Sequence, residues 1–305
     1  MIVDSPATFR AALASGSYPP SGRPTARAAF LIEPLGFHLP EESGLDNRYM
    51  DFARGAVEEH ALLEHARLAR ALRDSVPTVV FPGDPETPSA VFANNVFASV
   101  PGRLIVGRMR HSVRRREAAR TDVRRFFVEQ MGCDLVDLST REDLVAELTG
   151  PMVIDRARNI GFCGLSERCN RAGAEAMDEA FGLALTFAFE LDPEEYHTNV
   201  VLAVLAGRAL VVYPPAFRDP DAALAIAELY DPRVLVLDEA EKRAFAGNCI
   251  ALGERDLWLS AEALRALRPA SRAALESWDF RLRAVALPEI ERAGGSLRCC
   301  VTEIF

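Results

Sequence analysis

A chain of 305 residues, 49% of them hydrophobic, can bury a large core, and it has no run of about 18 uncharged apolar residues of the kind that spans a membrane. Its formal charge of -9 excludes nucleic acid as the main partner, because phosphate binding relies on clustered Lys and Arg. The six cysteines keep no zinc-knuckle spacing, and with no secretory leader they read as thiols in a cytoplasmic protein.

The first residues, through about Arg27, are rich in Ser, Pro and Gly and read as a mobile tail or clamp, which leaves 28–305 as one domain. From Ala28 an apolar pattern recurs: strand, strand, helix, strand. The opening piece has "ARAAFLIEPLGF", a helix with Leu62, Ala66, Ala69 and Leu72 on one stripe, and the strand "TVVFP". Next come "VFANNVFASV", a turn at Pro101 and Gly102, "RLIVGRM", a helix from Val113 to about Gln130, and "CDLVDLS". Within that helix the arginines between Arg108 and Arg125 alternate with Glu117 and Asp122, which predicts a solvated face rather than an anion or RNA patch. The third copy is "GPMVIDRARNIGFCGLS", "AGAEAMDEAFG" and "LALTFAFEL"; the fourth is "NVVLAVLAGRALVVYPPAF", "DPDAALAIAELY" and "RVLVLD". A further copy runs from "CIALGERDLWLS" to "FRLRAVALP". The terminal "SLRCCVTEIF" completes the opening piece only if the last strand pairs beside the first and closes a ring.

One polar residue stands at the mouth of each module: Asn47, Asn95, Glu147, His197, Asn248 and Cys299, at steps of 48, 52, 50, 51 and 51. In a wheel of wedges, equivalent positions converge near the axis, so these residues are expected to build one central site. Two have plainer readings: Asn47, with Asp46, as a helix cap, and Asn248 as a turn residue. Cys299, His197 and Glu147 are the types that covalent hydrolysis needs. A thiolate attacks an electron-poor carbon, an imidazole passes a proton to the departing amine, and a carboxylate supports water attack on the adduct. Asn199 follows His197 by two positions and shares its face if the strand is extended there. The amides of Asn95 and Asn199 suit a neutral ureido group, whereas a buried guanidinium favours carboxylates. Arg168 has the bidentate geometry to hold a substrate carboxylate, with exposure at the surface as the competing reading. Cys300 is expected on the opposite side of the strand, in packing.

The segments "FANNVFA", "ELTGPMVID", "SERCN", "EYHTNVVLAV", "FAGN" and "GGSLRCCVTEIF" occur in an order that resembles the guanidino-group-modifying superfamily of arginine deiminases, dimethylarginine hydrolases, succinylarginine dihydrolases and amidinotransferases. The similarity is closest to the arginine-deiminase-related branch of citrulline utilization hydrolases. It implies a five-module α/β propeller, the pentein fold, without metal or organic cofactor. It carries the nucleophile onto Cys299, the acid/base onto His197 and the supporting carboxylate onto Glu147. Asn95 and Asn199 fall where relatives hold the guanidinium or ureido group, and Arg168 where they hold the substrate carboxylate. Two positions depart from the family pattern: Leu148 and Ala293 stand where glycine is usual.

These readings predict a thiol hydrolase that cleaves a C-N bond of a free amino acid, citrulline first, then arginine or a methylarginine. An amidinotransferase is the second reading. A non-catalytic binding protein, like the ribosome anti-association factor of the same fold, ranks last. The expected partner is a small-molecule amino acid, not a nucleic acid or a membrane, and homo-oligomerisation is left open.

Overall fold

The computed structural model describes residues 1–305, which form five separate small sheets. The chain opens with β1 (Ile2–Val3) and α1 (Pro6–Ser15), then β2 (Ala28–Ile32), α2 (Glu58–Leu72) and β3 (Thr78–Phe81). Next come β4 (Phe97–Val100), β5 (Arg103–Val106), α3 (Ser112–Ala118), α4 (Thr121–Arg125) and β6 (Asp134–Asp137). The third unit is β7 (Met152–Asp155), β8 (Ile160–Leu165), α5 (Arg171–Phe181) and β9 (Leu185–Glu190). The fourth is β10 (Leu202–Leu205), β11 (Ala209–Val212), α6 (Pro220–Glu228) and β12 (Val234–Val236), and α7 (Glu239–Arg243) follows it. Then come β13 (Ile250–Leu252), β14 (Asp256–Ser260), α8 (Ala261–Ala266), α9 (Pro269–Ser277) and β15 (Arg281–Val285). The short helices α10 (Pro288–Glu291) and α11 (Leu297–Cys300) lead into β16 (Thr302–Ile304).

In each of the four units after the first, an antiparallel hairpin is followed by a parallel third strand reached through a helical crossover, as parallel pairing demands. The opening unit has only β2 parallel to β3, and β16 supplies its missing antiparallel strand, with Thr302 opposite Phe30. The expected pairing of last strand with first is therefore present. Local signals set the helix ends. Asn170 caps α5 by accepting from the Gly173 amide, and Gly182 ends it at φ 66°, a left-handed conformation that glycine adopts without strain.

The structure corrects three expectations. Residues 1–15 are folded, not a mobile tail: β1 pairs with β9, and Ser5 and Thr8 form a capping box ahead of Phe9. Phe9 is fully buried, its ring stacked on Phe187 at 4.7 Å and edge-on to Phe162 at 6.1 Å. Phe9→Ala should cost about 3 kcal/mol in urea denaturation; a change below about 1 kcal/mol would mean that this segment is a dispensable clamp. The stripe of α2 is the expected one only in part: Ala69 and Leu72 are buried, Leu62 is half-buried and Ala66 is exposed, while Ala61, Glu64, His65 and Leu68 complete the buried face. Finally, the arginine-rich stretch is not a continuous solvated face. It breaks between α3 and α4, and Arg114 and Glu117 form a buried ion pair at 2.7 Å. Each charge in that pair neutralises the other, so a helix face dense in charge still enters the core.

Candidate active site

The six periodic residues fall into two groups joined through Arg168, which lines the cavity of Cys299 and reaches Glu147 at 3.3 Å. Asn47, Asn95 and Cys299 line one small cavity of about 20 Å³, Glu147 and His197 are hydrogen-bonded to each other, and Asn248 touches Cys299. Glu147, His197 and Asn248 lie in the short irregular stretches before strands, where the backbone leaves the sheet ladder and can aim a side chain inward; Asn95 ends a 3-10 turn ahead of β4, Asn47 lies ahead of α2, and Cys299 lies within α11.

His197 Nε2 lies 2.9 Å from Glu147 Oε2, and both residues are fully buried. This contact assigns the proton to Nε2 and leaves Nδ1, which has no partner, as the basic nitrogen. Burial lowers the imidazole's pKa more than Glu147 raises it, so the ring rests neutral. Burial alone would raise the Glu147 carboxyl, yet the Arg168 charge and the His197 hydrogen bond hold it well below the usual carboxylate range. The Arg110 amide also donates to Glu147 Oε1 at 3.2 Å. A Cβ at Gly150 would lie 2.6 to 2.7 Å from three imidazole atoms. Gly150→Ala must therefore push the ring off its contact with Glu147, and kcat is expected to fall about 10-fold or more with the fold retained. Unchanged kcat in steady-state assays would show that this ring position does not matter.

Cys299 sits in α11, a four-residue helical turn rather than the expected strand. Cys300 is consequently not simply opposite; its thiol donates to Ser296 O at 3.5 Å inside the core. The Cys299 sulfur is 3.3 Å from Asn248 Nδ2 and 3.8 Å from Asn199 Oδ1. Burial raises its pKa above the ordinary thiol value despite lowering contributions from Asn248 and the Ser296 contact. The resting thiol and the resting imidazole are thus both neutral.

Arg168 is buried, not at the surface, and most of its donors are committed. Nε and Nη2 bind Asp46 Oδ1 at 2.8 and 2.6 Å, Nη2 also reaches Ser43 O, and Nη1 approaches Glu147 Oε2 at 3.3 Å. Asp46 and Asn47 start no helix: Asp46 also bonds His111, and Asn47 bonds Gly294 O and the Tyr49 amide. Asn199 is not in the cavity of Cys299. The Thr198–Val200 stretch is a 3-10 turn, so the shared-face expectation fails, and Asn199 Nδ2 donates to Thr149 O at 3.0 Å while its Oδ1 faces the Cys299 sulfur. Sequence reasoning missed Arg114, Asp46 and Tyr196. Arg114 and Tyr196 line the cavity, and Asp46 clamps Arg168. Arg114 was hidden among exposed arginines that share its spacing. Leu148 adopts φ 41°, which explains why glycine is usual there, whereas Ala293 has an ordinary backbone and positive φ falls to Gly294 at 78°. Leu148 is fully buried, so its packing offsets some of that strain.

With a buried Cys, His and Glu in this relation, the model of the N,N dimethylarginine dimethylhydrolase, eukaryotic, family matches residues 33–305. The chain belongs to that family. It is accordingly a hydrolase acting on a non-peptide C-N bond, of the guanidino-group type within the pentein/amidinotransferase superfamily. It is 30% identical over 138 residues to the N(G),N(G)-dimethylarginine dimethylaminohydrolase of Mycobacterium tuberculosis, covering 44% of this chain and 41% of that one. It is 24% identical to YkgA of Bacillus subtilis over 79% of each chain. The fold is similar to that of the N-terminal domain of ArgZ bound to substrate, described as an arginine dihydrolase from the ornithine-ammonia cycle in cyanobacteria (TM-score 0.79, 18% identity, covering 91% and 97%). It is also similar to a mutant of the Pseudomonas aeruginosa enzyme complexed with citrulline (TM-score 0.71, 20% identity, covering 92% and 100%). No helix of this family member is long and apolar enough to cross a membrane.

Proposed function

We propose that this chain hydrolyses the terminal ureido or guanidino group of a free amino acid through a covalent adduct on Cys299, with citrulline as the first substrate. Cys299 gives its proton to Nδ1 of His197 as the sulfur attacks the central carbon and forms a C-S bond. His197 passes that proton to the amine as the C-N bond breaks, then takes one from the water that attacks the adduct and returns it to the sulfur as the C-S bond breaks. Glu147 keeps the imidazole oriented throughout. The five sheets read as the blades of a closed propeller, supported by the pairing of β16 with β2 and by the convergence of Asn47, Asn95 and Cys299, from three different units, on one cavity.

The observation that carries the substrate choice is the charge balance at the cavity. Asp46 and Glu147 are both bound by Arg168, and Glu117 is bound by Arg114, so no free carboxylate waits for a cation. The amides of Asn47 and Asn95 face the cavity instead, and an amide donates to and accepts from a ureido group. Asn199, placed behind the sulfur, supports the site from outside the cavity. Arg168 and Arg114 supply the positive charge for the substrate's α-carboxylate, which takes the place of Asp46 on Arg168 when the loop carrying Asp46 moves aside. The cavity holds about one water in its present form, so this movement is required for entry.

Arginine is the second reading, because displaced Asp46 becomes a free carboxylate that can meet a guanidinium. Citrulline, arginine, methylarginines and agmatine should be supplied separately while ammonia and amino-acid products are followed. Citrulline should turn over and agmatine, lacking the carboxylate, should not. Turnover of arginine alone overturns the neutral-substrate reading, and no turnover of any of them overturns the whole.

A further inference from the structure

The reaction above uses five of the six periodic residues and leaves Asn248 without a part. Its surroundings are unlike those of a simple turn residue. The left-handed position in this turn is Phe245, at φ 62°, and not Asn248. Asn248 is fully buried and nearly all its polar atoms are directed at the nucleophile's segment. Its backbone oxygen accepts from the Arg298 amide at 3.4 Å and its Oδ1 accepts from the Cys299 amide at 3.4 Å. Nδ2 donates to Asn199 O at 2.8 Å, and its second hydrogen lies between the Cys299 sulfur at 3.3 Å and Asn199 Oδ1 at 3.4 Å.

The two amides beside the sulfur offer it opposite things. Asn199 has committed its Nδ2 to Thr149 O, so it presents only Oδ1, which can accept from a thiol S-H. Asn248 presents an N-H, which favours a sulfur anion and gains little from a thiol. A single buried N-H aimed at a sulfur in a low-dielectric site is worth more than in water.

We propose that Asn248 acts on the reaction itself, by holding the Cys299 sulfur in place and stabilising its thiolate, while Asn199 holds the resting thiol. The inference rests on Cys299 being the nucleophile. Transfer of the thiol proton to Nδ1 of His197 then shifts the sulfur's hydrogen bonding from Asn199 Oδ1 to Asn248 Nδ2 without moving the backbone. Gly247 anchors the turn: a Cβ there would lie 2.3 Å from Val200 O, so the segment has no room to slide.

The test is the rate at which iodoacetamide alkylates Cys299 in the folded protein, followed by peptide mapping from pH 6 to 10. Asn248→Leu keeps the volume and removes both the donor and the acceptor. Asn248→Asp keeps the shape and places a carboxylate beside the sulfur. In each, alkylation at pH 7 should be about 10-fold slower or more, with kcat reduced by a similar factor and KM within about 3-fold of the unmodified protein. A purely structural role predicts the reverse, a loosened site whose thiol alkylates faster; an equal or faster rate overturns the proposal. Should both variants fail to fold, the side-chain amide signal of Asn248 in the unmodified protein carries the test, because it must shift with the same pH midpoint as Cys299 alkylation. A signal that stays flat through that midpoint overturns the proposal too. An unmodified protein inactive on every ureido and guanidino compound would refute the proposed function and leave the alkylation difference standing. Turnover that is indifferent to Asn248 would refute this inference alone.

Discussion

Cys299→Ala should lower kcat by about four orders of magnitude or more and leave the far-ultraviolet spectrum and the denaturation midpoint nearly unchanged. Cys299, the proposed nucleophile, has no understudy. Cys300, its neighbour, is turned into the core with its thiol on Ser296 O, and Cys249 lines a different cavity behind the site. His197 and Glu147 remain in the variant, but without a sulfur they can only assist direct attack by water, which the covalent route replaces with two easier steps. The loss of one sulfur atom removes little packing, so the change should appear in turnover and not in stability. Ammonia release under saturating substrate measures it, and a variant that retains a tenth of the activity would place the adduct elsewhere.

Arg168→Leu should combine a stability loss of about 3 to 5 kcal/mol with a fall in kcat of about 100-fold. The cation stands between Asp46 and Glu147, and all three are nine-tenths or more buried by side chain. Without Arg168, two carboxylates remain with fewer charged partners in a desolvated place. Glu147 would then take up a proton more easily and lose its hold on the imidazole. The pH dependence has a definite sign. A carboxyl whose folded pKa is held below its ordinary value of 4.5 adds stability above pH 4.5, and that stability is lost as the pH falls toward the folded value. The gap between wild type and variant should therefore be full near neutrality and narrow below about pH 4.5. Urea denaturation at pH 7 and at pH 4 measures both points. A variant within about 1 kcal/mol of wild type at neutral pH would show that Arg168 is not a structural keystone and has donors to spare for substrate.

Much of this was readable from the polypeptide before folding. The alternation of apolar runs and helices gave the five units, because a strand buried on both faces needs a continuous apolar run and a covering helix needs a stripe. The spacing of Asn47, Asn95, Glu147, His197, Asn248 and Cys299 pointed to related places in successive units, since repeated units of one length present equivalent positions at equivalent places, and Asn47, Asn95 and Cys299 share one cavity. Glycines around Cys299 and the residue types of the Cys, His and Glu announced the chemistry.

The packing decided the rest. Phe9 lies in a segment whose composition looks like a tail, and only the gap over Phe187 and Phe162 makes a folded element of it. Arg114 carries the same charge and spacing as the exposed arginines beside it, and became a buried cavity residue because Glu117 turned inward with it. Arg168 reads in sequence as a free anchor; Asp46, 122 positions away, occupies it. Asn199 reads as a cavity amide and lies behind the sulfur because its backbone turns where an extended strand was expected. Local sequence sets which residues can be strands, caps and nucleophiles, since those preferences act over a few positions. Which charges are paired, and which amide faces a given atom, depend on desolvation and contact between segments remote along the chain, and these exist only once the sheets have assembled.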